Sequence, residues 1–177
     1  MLTSQQDKKR FNVHRLTRLA MLTALALIIF VVEMQIPNAV PIPGVKLGLA
    51  NIITVYAVYH YKAADVLMIL LVRIFLGAVF GGNLSALPFS LTGGLLCLSG
   101  MLIMRRFIDE EHIWIASVLS AVLHNIGQTA AAVVVMQTAA VIGYLPLLMF
   151  TGCIAGAFTG GAAELIIIRM KNNKNKK

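Results

Sequence analysis

Charged residues are scarce in this chain of 177 residues: they make up 12% of it, against 59% hydrophobic residues, and the mean hydropathy is +0.84. A typical soluble domain is about 25% charged and about 45–50% apolar. The chain therefore lacks the polar side chains needed to cover a surface that faces water. This composition excludes an ordinary soluble globular protein and a disordered chain, and it predicts a membrane protein.

Sequence motifs for enzymatic chemistry are also missing. The chain has no GxxxxGKS or GxxxxGKT loop for nucleotide hydrolysis, no serine or cysteine nucleophile arrangement, and no DDxxD-type motif for binding a diphosphate through Mg²⁺. Its two cysteines, Cys97 and Cys153, lie inside apolar runs, where buried thiols are the ordinary interpretation. We therefore expect no catalytic residues, no cofactor and no metal, although a role as part of an enzyme stays open.

Long hydrophobic runs predict an all-α membrane protein with six spans, because a membrane helix needs about 20 apolar residues. The membrane domain covers residues 16–170, between a basic tail at residues 1–15 and a disordered basic tail at residues 171–177. The predicted spans are residues 16–36, 47–61, 63–80, 84–104, 113–136 and 145–170, and the second is marginal in length. A proline-rich loop at residues 37–44 is predicted to be extended and stiff.

The distribution of basic residues predicts the orientation of these spans. With both termini in the cytoplasm, the inner segments hold 13 of the 15 Lys and Arg residues, the outer loops hold Lys46, and Arg73 lies inside the third span. Such a bias is typical of helical membrane proteins with six spans and both ends inside. The formal net charge of +8 is thus assigned to topology and anionic lipid headgroups, and no nucleic-acid partner is expected.

Ionisable side chains inside the spans are the sharpest functional signal, because each costs at least a few kcal/mol unless it is paired or hydrated. Arg73 lies at mid-to-outer depth in the third span, and Glu33 lies near the outer end of the first. The two side chains can form a structural ion pair. Alternatively, Arg73 faces a polar cavity and binds a carboxylate or phosphate, which suits its planar and permanently charged guanidinium.

The fifth span carries three polar residues, His124, Asn125 and Gln128, at spacings of three and four. These spacings place them on neighbouring parts of one helix surface, where they either line a cavity or hold helices together. The other candidate substrate-binding residues are Asn51, Asn83 and Ser85 near the outer side and Lys46 on the rim.

Small residues at spacings of four form further patterns. Gly152, Gly156 and Gly160 in the sixth span are expected to pack against another helix, as is the Gly77–Gly81 pair of the third. Ala20 and Ala24 form a smooth stripe near the cytoplasmic end of the first span, for packing within the bundle or for docking another membrane protein.

Charged residues near the cytoplasmic side are given structural interpretations. Residues 109–112 (DEEH) have the side chains of metal ligands but no distant partner motif, so they are interpreted as a solvated polar cap. Glu164, in the inner part of the sixth span, is assigned a structural or helix-contact role.

Three stretches together resemble a bacterial membrane family. They are PGVKLGLANI at residues 43–52, GGNLSALPFSLTGG at residues 81–94 and HNIGQ at residues 124–128. The family is called heptaprenyl diphosphate synthase component I, or the Gx transporter family, and the resemblance extends over roughly residues 12–170. It is similar in turn to the substrate-binding S components of energy-coupling factor (ECF) transporters. These are six-helix proteins that bind a vitamin or related molecule and dock onto a shared energising module.

The resemblance implies a function in uptake. It implies an S-component-like bundle in the bacterial cell membrane that binds a small vitamin-like or precursor molecule from outside, and Arg73 adds the expectation that this molecule is anionic. Its partner would be an ECF module, made of a transmembrane coupling subunit and ATPases. Ala20 and Ala24 would match the AxxxA-like docking stripe of that family, and the loop that ends at Lys46 would match its lid.

Two alternatives remain at this point. One is a membrane subunit of prenyl diphosphate or quinone biosynthesis, whose apolar interior holds a prenyl chain and whose cytoplasmic loop recruits a soluble synthase. The other, a stand-alone secondary carrier, is weaker because the sequence shows no inverted repeat.

Overall fold

The computed structural model describes residues 2–35 and 49–174, and all regular structure within them is helical. This confirms the all-α prediction. Two short 3₁₀ turns, Leu84–Ala86 and Ala139–Tyr144, precede the fourth and sixth helices. The six α-helices are α1 (Leu2–Gln35), α2 (Asn51–His60), α3 (Ala63–Phe80), α4 (Leu87–Met104), α5 (Ile113–Met136) and α6 (Leu145–Lys174).

Five segments are long and apolar enough to cross a membrane: Val13–Gln35, Ala63–Phe80, Leu84–Met104, Ile113–Met136 and Ala139–Asn173. The exception among the described helices is α2, whose ten residues extend over only about 15 Å. Large apolar side chains lie exposed on the outside of the bundle, which is the surface expected of a protein surrounded by lipid. They include Phe75, Phe80, Phe150, Phe158 and Leu165.

Helix boundaries agree closely with the hydrophobic runs in the middle of the chain and depart from them at the ends. The predicted third and fifth spans coincide with α3 and α5. The fourth span begins with a 3₁₀ turn, and its α-helix starts at Leu87 with Pro88 in the first positions, where proline is favourable.

The basic tails are helical wherever the structure describes them. α1 begins at Leu2, within the predicted N-terminal tail. The prediction of disorder was wrong for residues 171–174, because α6 continues through Lys174. Lys171 in this extension lies 3.8 Å from the Glu110 carboxylate, so an ion pair supports the last turns of the helix.

Glycines mark the close helix crossings, as the sequence predicts. A Cβ atom on Gly156 would stand 2.9 Å from Val118 Cα of α5, and one on Gly160 would stand 2.6 Å from Trp114 Cα. In α3, Gly77 lies against the Phe30 ring of α1. The packing role of these glycines is therefore confirmed, and the α4–α5 and α5–α6 pairs are the most extensively packed helices of the described bundle.

One end of the bundle, here called the basic end, is fastened by polar contacts between helices. Arg15 of α1 binds the Asp65 carboxylate in the first turn of α3 through Nε and Nη2. Arg105 at the end of α4 donates a hydrogen bond of 2.8 Å to the Val58 carbonyl in the last turn of α2. Arg15 of α1, the starts of α3 and α5, the ends of α2 and α4 and the last part of α6 meet here.

The apolar core lies in the half of the bundle nearest the basic end. Its buried members come from the later parts of α2, α4 and α6 and from the earlier parts of α3 and α5. They include Val55, Val58, Val66, Ile69, Leu98, Met101, Ile113, Ala163 and Ile167. The other half of the bundle contains the polar side chains of Asn51, Arg73 and His124.

Candidate functional site

Arg73 lies in α3, seven residues before the helix ends at Phe80, or about 10 Å along its axis. Its Nη1 donates a hydrogen bond of 3.2 Å to Oδ1 of Asn51, the first residue of α2. A guanidinium has five N–H donors. This is the one hydrogen bond that Arg73 makes with the described residues, and it uses one of the five donors.

Three more side chains lie within electrostatic range of Arg73, namely Glu33 of α1, Cys97 of α4 and His124 of α5. Together with Asn51 and Arg73 they are called the Arg73 cluster below, and each member belongs to a different helix. Glu33 is buried, with 6% of its surface exposed. Its proximity to Arg73 fits both a structural ion pair and a binding site that contains both charges.

His124 and Gln128 lie on the side of α5 that faces α4. A Cβ atom on Gly93 of α4 would stand 3.0 Å from Cε1 of His124 and 2.7 Å from Cγ of Gln128. At the same crossing, a Cβ atom on Gly127 would stand 2.9 Å from the Cα of Gly93. Glycine on both helices therefore allows the two backbones to touch, and this close approach holds His124 and Gln128 against α4.

Asn125 has a different neighbour, although it follows His124 directly. Its buried Nδ2 donates a hydrogen bond to the Leu148 carbonyl of α6. The amide fits where Gly152 leaves room, since a Cβ atom there would stand 2.2 Å from Nδ2. Successive helical residues point about 100° apart, so the structure places Asn125 in the α5–α6 contact and away from the face of His124 and Gln128.

The remaining candidate binding residues lie at or beyond the edge of this region. Asn83 and Ser85 are exposed in the connection between α3 and α4, and Ser85 Oγ donates a hydrogen bond of 2.6 Å to Asn83 Oδ1. Lys46 and the proline-rich loop lie outside the described residues. Of the predicted site, the structure therefore brings together Asn51, Arg73 and His124, with Gln128 beside His124.

Ala20 and Ala24 are both exposed on α1. Met21, Leu25 and Ile28 are exposed beside them, with 47–62% of their surface accessible, whereas Ala26 is fully buried. The stripe thus faces away from the bundle, toward lipid or another protein.

Acidic residues near the basic end make structural contacts or face solvent. Glu164 accepts a hydrogen bond of 3.3 Å from the backbone N–H of Trp114 at the start of α5, in agreement with its predicted helix-contact role. Asp109 and Glu111 are exposed. In the part of the chain that the structure describes, no three His, Cys, Asp or Glu side chains are grouped as metal ligands would be.

Sequence reasoning missed three residues in or beside this region: Cys97, Thr54 and Ser120. Cys97 belongs to the Arg73 cluster, and no sequence pattern singled it out. Thr54 follows Asn51 by three residues and Ser120 precedes His124 by four, so helical spacing was a usable signal for both.

Among the comparisons with known proteins, one family model matches this chain. No curated protein and no solved structure matches this chain significantly. The family model for heptaprenyl diphosphate synthase component I matches residues 22–166, which begin within α1, end within α6 and include the Arg73 cluster. The chain therefore belongs to the heptaprenyl diphosphate synthase component I family.

Proposed function

We propose that this protein is the substrate-binding membrane subunit of an ECF-type uptake transporter in the bacterial cell membrane. Its substrate is a small molecule with at least one negative charge. One observation carries this proposal: Arg73 is held inside a helical bundle by a single hydrogen bond to Asn51 among the described residues. An arginine at such depth is expensive unless its charge and donors are satisfied, and a carboxylate or phosphate satisfies both.

The position of the Arg73 cluster supports binding from outside. Basic side chains gather at the opposite end of the bundle, and basic ends of helical membrane proteins face the cytoplasm. This orientation puts the cluster in the outer half of the membrane, with Asn83 and Ser85 at the outer surface.

The orientation can be tested by labelling single cysteines in a variant in which Cys97 and Cys153 are replaced by serine. With an impermeant thiol reagent added to intact cells, Ser85→Cys should react and Glu111→Cys should not. The reverse pattern would rule out entry of substrate from the outside.

A partner complex must provide the energy in this proposal, since the sequence has no nucleotide-hydrolysing loop. The exposed face of α1 around Ala20 and Ala24 is the proposed docking surface for the membrane subunit of that complex. Small side chains allow close approach of another helix, which is the means by which membrane helices associate.

A second candidate is favoured by the family's name, which describes one component of a prenyl diphosphate synthase. In this alternative the chain would recruit a soluble synthase through the connection between α4 and α5. The exposed side chains of Phe107, Asp109 and Glu111 would then form the contact.

Purification of the full-length protein from native membranes, followed by mass spectrometry, separates the two functions. The transport proposal predicts that ATPase subunits co-purify and that the protein retains a water-soluble anion. A soluble prenyl synthase together with a bound prenyl lipid would overturn the proposal in favour of the second candidate.

A further inference from the structure

Several hydroxyl side chains in these helices donate a hydrogen bond to the backbone carbonyl one turn earlier in the same helix. Ser99 Oγ donates to the Leu95 carbonyl at 2.8 Å, and Thr159 Oγ1 donates to the Ala155 carbonyl at 2.9 Å. Four other threonines do the same: Thr17, Thr23, Thr92 and Thr151. This bond satisfies a hydroxyl in a membrane helix without any other partner.

Thr54 of α2 and Ser120 of α5 do not form this hydrogen bond. Both side chains are buried, with 5% and 1% of their surface exposed, and neither hydroxyl has a hydrogen-bond partner among the described residues. A buried hydroxyl without a partner is costly, and such groups in native proteins call for an explanation such as a bound molecule.

Both hydroxyls lie one helical turn from a member of the Arg73 cluster, on the side of the basic end. Thr54 follows Asn51 by three residues, which is about 4.5 Å along α2, and Ser120 precedes His124 by four, which is about 6 Å along α5. These spacings keep each hydroxyl on the same helix face as its neighbour in the cluster. Ser120 also faces α4, since a Cβ atom on Gly100 would stand 3.7 Å from its Oγ.

We propose that Thr54 and Ser120 form a neutral polar extension of the substrate site. In this arrangement Arg73 binds the negative group of the substrate, and the two hydroxyls hydrogen-bond neutral hydroxyl or carbonyl groups deeper in the bundle. This inference rests on the proposed transport function and narrows it to compact, polyfunctional polar molecules. A prenyl chain does not fit, because an apolar tail leaves both hydroxyls without hydrogen bonds.

Thr129 provides a matched control within the same helix. Its hydroxyl is also buried and without a partner in the described part of the chain, and 5% of the side chain is exposed. It lies four residues after Asn125, however, on the side of α5 that faces α6. If the lack of a partner were an incidental property of buried hydroxyls, Thr129 and Thr54 would respond alike to loss of the hydroxyl.

The test measures which molecules the immobilised, detergent-purified full chain retains from two probes. One probe is the water-soluble small-molecule extract of the source cells, and the other is their lipid extract. Mass spectrometry quantifies the retained molecules for the wild type and for Thr54→Val, Thr54→Ser, Ser120→Ala and Thr129→Val. The melting temperature of each variant is measured in the absence of either extract.

The wild type should retain a molecule from the aqueous extract. Thr54→Val and Ser120→Ala should each retain about three- to tenfold less of it, the effect of one lost hydrogen bond. Thr54→Ser, which keeps the hydroxyl, and Thr129→Val should retain it as the wild type does. Melting temperatures should stay close to that of the wild type. If either Thr54→Val or Ser120→Ala is unstable, the retention measured for the other variant tests the proposal.

Two results would overturn the inference while the proposed function stands. In one, Thr54→Val and Ser120→Ala retain the aqueous molecule as well as the wild type does. In the other, Thr129→Val loses as much retention as they do. If the wild type retains molecules from the lipid extract alone, the proposed function fails and the polar extension fails with it.

Discussion

The basic end and the Arg73 cluster both place charged side chains between packed helices, but they satisfy them differently. At the basic end, Arg15 binds the Asp65 carboxylate through two nitrogen atoms, and Lys171 lies 3.8 Å from Glu110. In the cluster, one Arg73 nitrogen donates to a neutral amide, and the Glu33 carboxyl group lies within electrostatic range.

We interpret this difference as a division between charges that hold the fold and charges that, in the proposed function, bind a ligand. In a bidentate arginine–carboxylate pair, two N–H donors are already bound to the carboxylate, so few hydrogen-bonding groups are left for a third partner. In the proposed function, the other donors of the Arg73 guanidinium bind the ligand. Substitutions in the two regions should therefore differ in their effect on the stability of the ligand-free protein.

The largest loss of stability is expected from Arg15→Met. The substitution leaves Asp65, whose side chain is 6% exposed, without its arginine. Breaking a buried pair costs about 3–5 kcal/mol, and we expect the lower end, about 3 kcal/mol, because the Arg15 side chain is 42% exposed. Unfolding in detergent by a chemical denaturant measures this loss.

The exposed Arg18 is the control for this experiment, since among the described residues its Nε donates only to the His14 carbonyl, at 3.4 Å. Arg18→Met should change stability by no more than about 0.5 kcal/mol. The double variant Arg15→Met with Asp65→Asn should recover much of the loss. Equal effects of Arg15→Met and Arg18→Met would refute the structural role of the basic end.

A smaller loss is expected from Gly156→Ala at the α5–α6 crossing. The added Cβ atom would stand 2.9 Å from the backbone Cα of Val118, which cannot move like a flexible side chain. Overpacking of this kind costs about 1–3 kcal/mol. Gly161→Ala is the matched control, because no atom of another described helix lies within 4 Å of its added Cβ. Similar melting temperatures for the two variants would contradict the described crossing.

Ala20→Leu and Ala24→Leu should leave stability nearly unchanged, within about 0.5 kcal/mol, because both residues are exposed. Each adds three carbon atoms to the proposed docking face, so ATPase subunits should no longer co-purify from native membranes. Retention of the aqueous molecule should persist. Ala130→Leu, on an exposed position of α5, is the control and should keep the partner. A wild-type level of partner with Ala20→Leu and Ala24→Leu would exclude this face as the docking surface.

The helices were largely predictable because hydrophobic length and breaking residues decide where a membrane helix begins and ends. α3 and α5 coincide with the predicted spans for this reason. The helical tails were not predictable from hydropathy, since residues after Met170 are polar, and the pairing of Lys171 with Glu110 depends on how α6 packs beside α5.

The sequence predicted which polar residues belong to the candidate site, but only partly which of them lie close together. Arg73, Asn51 and His124 were found because polar residues inside apolar runs stand out. Which neighbouring helix each side chain contacts depends on the crossings at Gly93 and Gly152, and one sequence does not specify which helices cross there. For that reason Asn125 was grouped with His124 although the structure places it against α6.

The most direct test of the account is Arg73→Met, measured for stability without extract and for affinity toward the molecule that the wild type retains. If Arg73 serves the ligand, the ligand-free variant should be as stable as the wild type within about 0.5 kcal/mol. Its affinity should fall by roughly 2–5 kcal/mol, the range for removing one partner of a buried charge pair. Adding Glu33→Gln to Arg73→Met should not restore the lost affinity. A stability loss that Glu33→Gln restores, together with unchanged affinity, would show that Arg73 is a structural partner of Glu33 and would contradict the account.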